Sequence, residues 1–345
     1  MVDKNYCMSS YLAFRYVQAE DKDFFEGLHH KNIAPIAAAE KVYVKTAEEI
    51  DVAIQNAFET QRGEKLGLML SGGMDSAILA AYMPKGADAY TFRFLGGEFQ
   101  REELQRAEYY AQYYGLNLHY VDIGWEDVEK YLPIVMKAKC APVHPIEPQL
   151  YKAAMQAKRD GITKLVLGEC ADQNFGGLDG LLAKDWQFDE FVKRYYFTDP
   201  AKVLVDPVDM RYLFEPYRRD GDKIDFLHFI EDVFAIEGRG IYHNAFGIAD
   251  MPYFFPYAAM RMAVPLDLQR VRNGESKYLI RELFEMKYHM KAPNKIPMPR
   301  PVDAYFADWK GPTRPEFKSD LNMSEFTGNQ KWQMYCLEQF LNMYD

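Results

Sequence analysis

Residues 65–76 read KLGLMLSGGMDS, and this stretch limits what the chain can fold into. KLGLML is an apolar run of strand length, as expected of a strand buried on both faces inside a parallel sheet. Ser71-Gly72-Gly73 then requires a tight turn, and DSAILAAYM over 75–83 has helical composition with an acidic start. A strand turning through glycines into a helix directs unpaired N–H groups and the positive end of the helix dipole at the loop. The hydroxyls of Ser71 and Ser76 add donors. The loop is therefore expected to hold an anion, most simply a phosphate chain. Asp75 would repel that anion unless a divalent cation lies between them, which suggests Mg²⁺.

The rest of the first half repeats the theme. Strands are expected at 88–94, 117–123 and 164–168, and helices at 47–59, 98–114 and 148–160, with Gly115 closing the second helix. This alternation predicts an α/β fold built on a parallel sheet. Beyond about residue 180 the pattern changes. FDEFVKRYYF and IDFLHFIEDVFAI are helical in period and no further strong strand appears, so a mainly helical C-terminal half is expected beside the sheet. APNKIPMPRP at 292–301 carries four prolines and is expected to be an ordered loop or a flap, not a helix.

Composition excludes several classes. The chain has 345 residues, of which 48% are hydrophobic and 27% charged, a globular mixture. Its net charge of −10 argues against a general nucleic-acid binder, which needs a basic face. No run approaches the roughly 18 apolar residues of a membrane span, and MVDKNYCMSSYLAFRYV has no signal-peptide pattern. The four cysteines form no C-x-x-C, so neither zinc nor a disulfide framework is indicated, and the cytosol is the expected compartment.

Ser71-Gly72-Gly73-Met74-Asp75-Ser76 after a strand resembles the pyrophosphate (PP) loop of N-type ATP pyrophosphatases. Those enzymes cleave ATP between the α- and β-phosphates, adenylate a substrate oxygen and let a nucleophile displace AMP. Within them, Gly168-Glu169-Cys170-Ala171-Asp172-Gln173 followed by Phe175-Gly176-Gly177 resembles the asparagine synthetase motif G-E-G-A/S-D-E-x-F-G-G. SKYLIRELF at 276–284 resembles that family's K-x-x-L-R-E segment, and KAPNKIPMPRPVDAYFADW at 291–309 its R-P-K-x-G-F-x-x-P-x-x-x-W loop. YLAFRYV, with Phe25-Glu26-Gly27-Leu28, resembles the connector that precedes the synthetase domain. The expected organisation is a connector over 1–60 and a PP-loop synthetase domain over 61–345. No glutaminase sequence follows Cys7, which reads as a buried or incidental thiol.

The resemblance implies roles. Asp75 and Asp172 would hold Mg²⁺, with a helix N-cap the alternative for Asp172. Glu169 would orient or deprotonate the attacking amine, or stand behind the metal. Lys277 would neutralise charge on the α-phosphate, and Lys295 would pair with the pyrophosphate; the alternative for both is a solvated lysine. Leu70, Thr91, Phe92 and Arg93 would seat the adenine, while Ser71, Gly72, Gly73, Ser76 and Gly168 would surround the phosphates. Arg281 reads as structural. The implied activity is an ATP-dependent, AMP- and pyrophosphate-forming amide ligase. It would adenylate a small-molecule carboxylate, with ammonia or an amine as nucleophile, from solution or a separate glutaminase. The alternatives are an amidotransferase that activates a carbonyl oxygen and a non-catalytic nucleotide-binding regulator. Neither nucleic acid nor membrane is an expected partner. Cys170 and Gln173 replace the family's Gly and Glu, Pro297-Met298 replaces its Gly-Phe after the loop lysine, and the segment Gly247–Pro256 lacks its Glu, Arg and final Asp. These departures fall where the acceptor pocket is expected and place aspartate as substrate in doubt.

Overall fold

The computed structural model describes residues 1–96, 100–294 and 301–345. Strands β1 (Val42–Val44), β2 (Leu66–Met69), β3 (Asp88–Phe94), β4 (Asn117–Ile123) and β5 (Lys164–Val166) come first. They are followed by β6 (Arg218–Arg219), β7 (Lys223–Ile224), β8 (Tyr253–Phe254) and β9 (Met260–Met262). The main sheet has the order β4-β3-β2-β5-β8 and every pair in it is parallel. The expected parallel α/β fold is present.

Helices α1 (Lys4–Phe14), α2 (Ala47–Glu59), α3 (Met74–Ala80), α4 (Arg101–Tyr114), α5 (Trp125–Lys139), α6 (Glu147–Arg159) and α7 (Ala171–Asn174) alternate with the first strands. Alternation along the strands splits the core between the two faces of the sheet. Leu68, Leu70 and Val166 pack with α3 and the helix Tyr278–Tyr288. Tyr90, Val121, Leu165 and Leu167 pack with α6 and the helix Ala235–Ile248. Helix α1 is buried from Tyr6 to Phe14, including Cys7 at 0% exposure. It is clamped to the C-terminal helix Gly328–Asn342, where the Gln333 Nε2 donates to the Tyr11 carbonyl at 2.9 Å.

The C-terminal half also contributes short strands, which corrects the expectation of helices alone. Strand β8 extends the sheet beside β5, and β9 pairs with β1 in parallel. Each spans only two or three residues, too few for a period-2 pattern, so these strands are set by tertiary pairing. Helix α5, which no expectation covered, contains Pro133 within its length.

Helix α3 is short and leans on tyrosines. Tyr257 Oη donates to the Asp75 carbonyl at 3.1 Å, and Tyr288 Oη to the Ala77 carbonyl at 2.7 Å. Tyr257→Phe removes one such donor in a buried setting. It should cost about 1 kcal/mol, read as a lower urea midpoint at an unchanged m-value. An unchanged midpoint would mean that the bond contributes nothing.

Candidate active site

The chain proceeds from β2 through β3 to β4 on one side of the sheet, and β5 lies on the other side of β2. The crossovers after β2 and β5 therefore leave in opposite directions, and a crevice opens at their carboxyl ends. In open α/β sheets ligands bind at such a switch point. A cavity of about 270 Å³ lies there. Its lining includes Leu70, Ser71, Gly72, Gly73, Asp75, Ser76, Thr91, Phe92, Gly168, Glu169, Asp172 and Lys277. Of the residues singled out in the sequence, Arg93 is placed elsewhere, in an ion pair with Asp122 at 2.6 Å on the surface. Lys295 falls outside the described residues, while Pro293 and Asn294 before it line the cavity.

The loop is built from its own side chains. The Ser71 N–H donates to Ser76 Oγ at 3.0 Å, and the Gly73 N–H to Ser71 Oγ at 3.2 Å. Gly73 caps α3 in extended conformation. Gly72 must be glycine because a Cβ there would lie 2.6 Å from the Glu103 carbonyl oxygen. The Glu103 carboxylate accepts from the Gly72 N–H, and burial raises its pKa. Gly168 allows the end of β5 to touch this loop, since its Cβ would come within 2.8 Å of the Ser76 nitrogen. The Ser71–Ser76 loop and the β5 turn are thus in direct backbone contact.

Past β5 the turn takes Cys170 to φ 76°, a region that favours glycine, and so launches α7 with Asp172 in its first turn. Cys170 itself precedes α7, so Asp172 is not its N-cap. The Phe-Gly-Gly that follows also has a steric reason. Phe175 is buried, Gly176 has φ 82°, and a Cβ on Gly177 would fall on Asp172 Oδ1 and 2.8 Å from Lys277 Cδ.

Lys277 is not a solvated lysine. Its side chain is 4% exposed, and Nζ lies 2.8 Å from Asp75 Oδ2 and 2.8 Å from Asp172 Oδ1. Burial pulls its pKa down, but the two carboxylates more than offset this and hold it above the ordinary lysine value. Arg281 donates to the Ser276 carbonyl at 2.9 Å and so braces the turn that carries Lys277.

Glu169 sits in the turn after β5, with Tyr242 Oη donating to its Oε2 at 2.9 Å. Burial pushes its carboxyl up to about 7; the Tyr242 bond opposes the rise and the Asp172 charge adds to it. Tyr242 had no motif to reveal it; it reaches the cavity from the helix Ala235–Ile248. Gln100, which caps α4, and Glu103 and Arg106 on it also line the cavity, and their spacing of three is a helical-face signal that the sequence did contain. The Gln100 carboxamide accepts from the Phe94 N–H at 2.6 Å and donates to the Phe92 carbonyl at 3.3 Å.

The carboxylates of Asp75 and Asp172 converge on one point. An all-oxygen pair suits a hard cation such as Mg²⁺. Among the described residues no third acidic, histidine or cysteine side chain joins them, so further ligands would come from phosphate oxygens or water.

Fold and site together define a parallel α/β protein with a glycine-containing strand-to-helix loop at its switch point. Residues 49–220 match the asparagine synthase family, and the chain carries a domain of that family. A Methanocaldococcus jannaschii protein described as a glutamine-hydrolyzing asparagine synthetase is 32% identical over 149 residues. That match covers 40% of this chain and 26% of the relative, so the chain spans about a quarter of the relative's length. The structure of NMN synthetase from Francisella tularensis aligns with 73% of this chain and 97% of its own, at 13% identity and a TM-score of 0.27. The U34-tRNA thiolase NcsA from Methanococcus maripaludis aligns with 79% and 90%, at 13% identity and a TM-score of 0.26. Among the described residues no helix is long and apolar enough to cross a membrane.

Gly177→Ala tests the crowding around the ionic cluster. The added Cβ displaces Asp172 or Lys277, and overpacking of this kind costs about 1–3 kcal/mol. The expected result is a clear drop in melting temperature, and wild-type stability would show that the cluster is not close-packed.

Proposed function

We propose that the chain is an ATP-dependent ligase that forms AMP and pyrophosphate and joins an amine to an adenylated carboxylate. The observation that carries this reading is the convergence of the Ser71–Ser76 loop, Asp75, Asp172, Glu169 and Lys277 on one cavity at the switch point. The asparagine synthase domain supports it.

In this reading the triphosphate lies over the loop, where Ser71, Ser76 and the first N–H groups of α3 donate to it. Its base lies against Leu70, Thr91 and Phe92. Asp75 and Asp172 would hold Mg²⁺, which when bound neutralises charge on the pyrophosphate. A carboxylate oxygen of the substrate attacks the α-phosphorus. The bond from that phosphorus to the α,β-bridging oxygen breaks, and pyrophosphate leaves with the electron pair. Lys277 offers its ammonium to the charge that grows on the α-phosphate oxygens. The amine nitrogen then attacks the acyl carbon, AMP departs, and Glu169 takes the proton the nitrogen must lose. A carboxyl with a pKa of about 7 suits that task near neutrality.

Two experiments test this. With a panel of carboxylic acids and ammonia or amines, nucleotide turnover should give AMP and pyrophosphate; ADP and phosphate as sole products would overturn the mechanism. Lys277→Ala should lower kcat on the order of 100- to 1000-fold, because it removes a donor aimed at developing charge. A solvated-lysine role would leave kcat unchanged.

The pH profile has a definite sign. Glu169 works deprotonated, so kcat should rise with pH through about 7. Tyr242→Phe removes the bond that holds this pKa down and should move the limb to higher pH. A profile flat from pH 6 to pH 8 would assign the proton transfer to another group.

A further inference from the structure

Lys277 is placed at a structural cost. It precedes the helix Tyr278–Tyr288 with φ 53°, a conformation that side chains disfavour. It is 3% exposed, and its Nζ donates to both oxygens of Asp75, at 2.9 and 2.8 Å, while also lying 2.8 Å from Asp172 Oδ1. Gly177 clears the space the cluster needs. The ammonium therefore stands between the two carboxylates that the proposed function gives to a divalent cation.

One point between two carboxylates cannot hold an ammonium and a metal ion together. A divalent ion arriving alone would expel Lys277 from its partners and leave a buried ammonium without counter-charge, a strongly unfavourable change. A nucleotide removes that penalty, because its phosphate oxygens can accept the displaced ammonium. The geometry points to Lys277 as a resident counter-ion that keeps Asp75 and Asp172 from binding a divalent cation until a nucleotide polyphosphate enters. Metal and nucleotide then load as one unit, and by linkage each raises the other's affinity by the same factor. The inference rests on reading the cavity as an ATP site.

Mn²⁺ binding, followed by the loss of the free-ion electron paramagnetic resonance signal, tests this without turnover. The nucleotide probe is α,β-methylene-ATP, which resists cleavage at the reacting bond. Wild type should bind Mn²⁺ at least about tenfold more tightly with the analogue than without it, a coupling of ordinary allosteric size. Lys277→Met and Lys277→Gln should each bind Mn²⁺ alone at least about tenfold more tightly than wild type, and a further Asp75→Asn change should abolish the gain. Two neutral replacements are used because either could fail to fold, which a melting curve reports.

Equal Mn²⁺ affinity of wild type and the neutral variants without nucleotide would overturn the counter-ion role while leaving the ATP site intact. The same holds if wild type binds Mn²⁺ equally well with and without the analogue. Failure of wild type to bind the analogue at all would overturn the ATP site and, with it, this inference.

Discussion

The contact between the turn after β5 and the loop after β2 is the constraint on which the site depends. Gly168 lies against the backbone of Asp75 and Ser76, so no side chain intervenes between the two turns. Strands β2 and β5 are adjacent and parallel, with Leu66 opposite Lys164 and Leu68 opposite Val166. Their carboxyl ends therefore arrive together, and their helices depart on different courses. The crevice follows from the strand order. Ser71–Ser76, Gly168, Glu169 and Asp172 line it from the turns anchored in that pairing, and helices bring Glu103, Tyr242 and Lys277 to the same cavity.

Electrostatics then sort the side chains. Of the four carboxylates that line the cavity, the two aspartates and Glu169 are handled in different ways. Asp75 and Asp172 share Lys277, whose charge they preserve. Glu169 has Tyr242 as its neutral partner and moves toward neutrality in pKa. Environments that push like groups apart are how one site assembles both an ionised pair and a proton acceptor.

Much of this was legible in the sequence, for local reasons. β3 and β4 were found at their observed ends, and α2 likewise, because each is long enough to show its period. Ser71–Ser76 announced itself because glycines, hydroxyls and an acid occur in fixed order at a strand-to-helix turn. What remained hidden depends on long-range placement. β8 and β9 exist only through their partners. Tyr242 is one aromatic among many on a helix whose facing could not be known. The pairing of Lys277 with both aspartates links residues roughly 100 and 200 positions apart, beyond any local pattern. The bland reading of Lys277 as a solvated lysine fails because a helix start alone does not say what the residue before it touches.

The central claim is that this cavity seats an adenine nucleotide with its base against the ends of β2 and β3. Photolabelling with 8-azido-ATP, followed by peptide mapping, tests it directly. The account predicts a label in the peptides that contain Leu70 or Thr91 and Phe92, with protection by excess ATP. A label confined to surface peptides away from these turns, or insensitive to ATP, would contradict it.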